Sequence, residues 1–120
     1  MKRNWQRNLA FTAALVCAAS VAMSAYASHA LEAVSQQRMM TASYFAFAHG
    51  LSLIVLVRHS PATSNFLACS LMFAGLFLFS GSLAAAAIWQ TSTALAPSGG
   101  MALIFAWCWV AVNFLRHREV

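Results

Sequence analysis

Acidic side chains are almost missing from this sequence. Glu32 and Glu119 are the only carboxylates among 120 residues, and there is no aspartate. That inventory excludes a hydrolase working through paired carboxylates, because such chemistry needs two acids held together. It also argues against a proton-coupled antiporter or channel, which places an ionisable group within its spans to make the coupling. Charge of either sign is scarce: 8% of residues are charged and 62% are hydrophobic. A soluble domain needs about a quarter of its residues charged to cover its surface. Most of this chain's surface therefore meets a solvent other than water. The three cysteines, Cys17, Cys69 and Cys108, lie in apolar stretches without a C-x-x-C pair. An odd number so placed argues against a disulfide framework and for small, polarisable packing residues.

Four long apolar runs are what the sequence does have. They cover about 9–27, 39–57, 66–89 and 99–115, each close to the ~20 residues a helix needs to cross ~30 Å of hydrocarbon. Lipid offers no partner for backbone polar groups, so runs of this length are helices. The breaks between them are short. Ser28–Arg38 holds Glu32, Gln36 and Gln37; Arg58–Asn65 holds His59 and Pro61; Gln90–Ser98 holds Pro97 and no charge. Such connections make successive helices antiparallel, which gives an all-α, integral membrane four-helix up-down bundle, read as one membrane domain over 1–120. Pro97, with Gly99 and Gly100, is expected to open the fourth helix.

The formal net charge is +5, but the basic residues sit at the ends of apolar runs and form no nucleic-acid patch. With the N-terminus inside, Lys2, Arg3, Arg7, Arg58, Arg116 and Arg118 are cytoplasmic and only Arg38 is outside. The excess of Lys and Arg on one side sets topology, and it places both termini in the cytoplasm. Trp5 and Trp89 lie near run ends, at headgroup level. Met1–Arg7, the apolar stretch behind it and Ala25-Tyr26-Ala27 also fit a cleaved secretory signal. Cleavage there would leave three spans in unchanged orientation.

Three blocks resemble one family. They are Ser24-Ala25-Tyr26-Ala27-Ser28-His29-Ala30-Leu31, the stretch from Tyr44 to His49-Gly50-Leu51, and Phe79-Ser80-Gly81-Ser82-Leu83. Pro97-Ser98-Gly99-Gly100 with Trp107 follows in the same order. Together they are similar to the small four-helix membrane proteins of unknown function typified by bacterial YgdD, related to eukaryotic transmembrane protein 256. Two departures stand out: Ser24 and Ala27 replace glycines before His29, and Ala106 replaces the glycine before Trp107. The resemblance implies a bacterial plasma (inner) membrane protein whose first helix is retained, since His29 falls inside the family's common core. It implies no activity and no cofactor.

The candidate functional or packing polar residues are therefore His29, His49, Ser80, Gly81 and Ser82. His49 is the one titratable group other than cysteine deep in a run, about ten residues in and hence ~15 Å from its outer end. A bridge from His49 to Ser80 or Ser82 is expected to fix helix pairing, with ligand binding or proton sensing as the alternative. His29, His59 and His117 do not share its depth, so neither haem nor zinc is expected. Helix one repeats Ala10, Ala14, Ala18 and Ala22, and helix three carries Gly75, Gly81 and Ala84–Ala87. Small residues of this kind let helices approach closely. Phe73, Phe77 and Phe79 are expected to face lipid or fill the bundle. The partners expected are the lipid bilayer and a membrane-protein partner or a second copy, with no nucleic acid. A non-catalytic accessory or assembly factor fits this inventory, and an oligomeric small-solute or lipid-handling transporter with a site near His49 is the alternative.

Overall fold

The computed structural model describes residues 2–59 and 63–116. Pro61, His117, Arg118 and Glu119 lie outside them. Four helices follow in order: α1 (Lys2–Ala30), α2 (Ala33–His59), α3 (Thr63–Trp89) and α4 (Ala96–Arg116). All four are long and apolar enough to cross a membrane. Each begins before its apolar run does. Gln36, Gln37 and Arg38 belong to α2 and not to the break, because hydropathy marks where lipid ends while these residues are good helix formers. Only Leu31 and Glu32 separate α1 from α2. Pro97 sits in the first turn of α4, where its missing N–H has no intrahelical partner to lose. Gln90 turns the chain out of α3 with φ 55°, and its side-chain Nε2 donates to Ser35 Oγ at 3.0 Å.

The backbones pack in sequence: α1 on α2, α2 on α3, α3 on α4. The core between α2 and α3 gathers Leu53, Val57, Cys69, Met72 and Leu76, with Ala13 from α1 and Leu103 and Ala106 from α4. Phe73 and Phe79 are half-buried against it, while Phe77 is exposed. Cys17, Cys69 and Cys108 are all free thiols.

Two close crossings hold the outer helices. On α1 the buried positions are Ala13, Ser20 and Ala27, a spacing of seven that suits a shallow left-handed crossing. Gly50 of α2 lies over this seam; a Cβ there would stand 2.7 Å from Cys17 Sγ and 3.1 Å from the Ala13 carbonyl oxygen. The Ser43 hydroxyl donates to the Ser20 carbonyl at 2.6 Å, and the Ser20 hydroxyl to the Cys17 carbonyl at 2.6 Å. The alanine stripe is not this seam. Ala14, Ala18 and Ala22 are exposed, while α2 brings Gly50 over Ala13 and Cys17 and the Ser43 hydroxyl to the Ser20 backbone carbonyl. Between α3 and α4 the crossing lies at Gly75 and Gly99, where a Cβ on Gly99 would fall on the Phe79 backbone nitrogen. Gly81 has nothing within 4 Å of where its Cβ would be.

Candidate functional site

His49 projects from the middle of α2 and is 8% exposed. Its Nδ1 lies 2.8 Å from the Phe45 carbonyl oxygen one turn back, and the Trp107 indole Nε1 of α4 donates to its Nε2 at 3.1 Å. An indole N–H can only donate. Nε2 therefore has to be the bare nitrogen, which puts the proton on Nδ1 and aims it at the Phe45 carbonyl. The hydrogen bonds thus assign one neutral tautomer. The Phe45 ring stacks on the imidazole, with centroids 5.7 Å apart and 11° between planes. Phe45 in turn packs on Phe79 of α3 at 4.6 Å. His49 is thereby the point where α2, α3 and α4 meet through side chains, although no Cα of α2 lies within 8 Å of a Cα of α4.

The expected bridge from His49 to Ser80 or Ser82 is not formed. Both ring nitrogens are taken by the Phe45 carbonyl and the Trp107 indole, and the side chain α3 brings to this pair is Phe79, packed on Phe45. Both Ser80 Oγ and Ser82 Oγ are buried without a hydrogen-bond partner among the described residues. His29 is exposed in the last turn of α1. It borders an open hollow of about 750 Å³ between the ends of α1, α2 and α3, with Ser28, Glu32, Gln36 and Gln90. His49 does not line that hollow. His59 is exposed at the end carrying the helix termini α1-start and α4-end, and its Nδ1 lies 3.1 Å from the Val55 carbonyl; His117 lies outside the described residues. No group of three or more metal-ligating side chains forms among the described residues.

Chemically, this leaves His49 without a free lone pair. A metal, a ligand or a proton would have to displace Trp107 first. Trp107→Phe should leave Nε2 unpaired and destabilise the bundle by about 1 kcal/mol, the scale of interhelical hydrogen bonds in membranes. His49→Gln should retain assembly, because an amide oxygen can accept from the same indole. Unfolding titrations with SDS in micelles measure both, and equal loss for the two variants would contradict this pairing.

A second buried polar pair lies outside the residues singled out from the sequence. Asn113 Nδ2 of α4 donates to Asn65 Oδ1 of α3 at 2.6 Å. The available signal is Asn113 itself, an amide inside an apolar run that needs a partner in lipid. Ser20 and Ser43 carry no comparable mark, being ordinary small residues in membrane helices.

Four apolar spans, with interior amide, imidazole and indole groups bonded to one another, define a small multi-pass membrane bundle. Residues 23–100 match the family described as protein of unknown function (DUF423), and the chain belongs to that family. It is similar to the UPF0382 membrane protein YwdK of Bacillus subtilis (strain 168), with 32% identity over 108 residues, covering 82% of this chain and 88% of that relative. No solved structure matches. His29, His49 and the Phe79–Leu83 block fall inside the matched range, whereas Trp107, the partner of His49, falls beyond it.

Proposed function

We propose that this protein is a non-catalytic accessory or assembly factor of the bacterial plasma membrane, meeting another membrane subunit through helix–helix contacts. The observation that carries this reading is the outward face of α1. Ala14, Ala18 and Ala22 are exposed at i, i+4 spacing while α1 packs on α2 through a different face. Small side chains at this spacing permit close approach of another helix, where lipid supplies no hydrophobic drive. Gly81 adds to it. A glycine inside a helix costs about 1 kcal/mol against alanine, and at Gly81 no close approach among the described residues offsets that. The loops between the helices are too short to form recognition domains, so a partner is met within the bilayer.

In this reading both termini are cytoplasmic, following Arg7, Arg58 and Arg116 at one end of the bundle and Arg38 near the other. The first helix is retained. Ala27, the position before a signal-type cut, is fully buried in the α1–α2 contact. A transporter with a site near His49 is less well supported, because both ring nitrogens are engaged within the chain. A photo-crosslinker at Ala18, compared with one at the exposed Phe105 of α4, tests the reading. Capture of one membrane protein from Ala18 and none from Phe105 is expected. Crosslinks to lipid alone from both positions would sink it.

A further inference from the structure

Three contacts fix the helix ends at the side of the bundle where α1 starts and α4 finishes. The Gln6 side chain donates to the Val57 carbonyl at 3.2 Å, joining α1 to α2. Trp5 meets Phe66 edge-to-face at 4.9 Å, joining α1 to the start of α3. Asn113 bonds Asn65, joining α4 to α3. Arg7 follows Gln6, Arg58 follows Val57, and Arg116 stands three residues after Asn113. The same contacts that close this end therefore bring three arginines to its rim. All three are exposed. Glu32, the only carboxylate among the described residues, lies at the opposite end. In sequence, Lys2, Arg3 and Arg7 precede the first apolar run, Arg58 follows the second, and Arg116, Arg118 and Glu119 follow the fourth.

The depth of these arginines identifies what they meet. Phe114 and Leu115, just before Arg116, are 72% and 73% exposed, as apolar side chains that face lipid are, and Arg116 follows where that apolar run ends. Arg58 follows the exposed Val55 by less than one turn, and Arg7 precedes the exposed Phe11 by about one. That is the level of lipid phosphates. A guanidinium presents a planar fork of donors that fits phosphate oxygens in pairs.

We propose that Arg7, Arg58 and Arg116 form a rim that selects anionic phospholipid headgroups over zwitterionic ones. The proposal is independent of the accessory-factor reading. A basic side chain near an anionic leaflet contributes about a fivefold preference. The test uses the full chain in mild detergent, given equal amounts of phosphatidylglycerol and phosphatidylcholine with identical acyl chains, with retained lipid counted by native mass spectrometry. Phosphatidylglycerol should be retained preferentially. Arg7→Gln, Arg58→Gln and Arg116→Gln should each lower that preference about fivefold, while Arg38→Gln leaves it unchanged. Raising salt on the unaltered protein should lower it too, a readout that needs no variant to fold. Equal retention of the two lipids, an equal loss from Arg38→Gln, or indifference to salt would each overturn the proposal. So would displacement of the lipid by an equal concentration of glycerol 3-phosphate, which would indicate a site for free phosphate.

Discussion

Gly99→Ala should destabilise the bundle by about 3 kcal/mol, at the upper end of what overpacking a tight contact costs. The added methyl would meet the Phe79 backbone nitrogen, the Gly75 carbonyl oxygen at 2.7 Å and Phe79 Cα at 2.8 Å. None of these is the end of a flexible side chain, so no rotamer change makes room. The α3 and α4 backbones would have to separate, and in lipid that close packing is itself the attraction between helices. Gly81→Ala is the matched control. It adds the same methyl to α3 in open space and should leave stability within about 0.5 kcal/mol or raise it. Reversible SDS unfolding, followed by helix signal, measures the pair. Similar effects from both would show that glycine acts here through helix propensity and not through the crossing.

Asn113→Leu should cost about 2 kcal/mol. The substitution leaves the Asn65 carboxamide buried without its 2.6 Å donor, and an orphaned buried acceptor loses its full desolvation energy. Replacing both residues with leucine removes donor and acceptor together, so the double variant should recover most of the loss. That non-additivity separates a hydrogen-bonded pair from two independent packing positions. Additive losses in the double variant would contradict the pairing.

The architecture was legible because the bilayer constrains it so strongly. Run length alone defines spans, and short polar breaks define antiparallel neighbours. Helix ends were less legible, as Gln36, Gln37 and Arg38 show: they are polar and helical at once. The rotation of each helix was not legible. Both Ala13–Ser20–Ala27 and Ala14–Ala18–Ala22 are small-residue stripes, and nothing in their composition ranks one above the other. What distinguishes them lies on α2, where Gly50 sits over Ala13 and Cys17 and Ser43 donates to the Ser20 backbone carbonyl. For the same reason His49 could be singled out but not its partner. Ser80 and Ser82 were chemically suitable at similar depth, yet Trp107 reaches His49 from the helix beyond.

The most direct measurement for the accessory-factor account is the intact mass of the complex released by mild detergent, for the unaltered chain and for Ala18→Leu. The account predicts this chain, with α1 uncleaved, in stoichiometric complex with a second membrane protein that Ala18→Leu releases without unfolding the bundle. Recovery of the unaltered chain as a lone monomer, with nothing bound for Ala18→Leu to release, would contradict it.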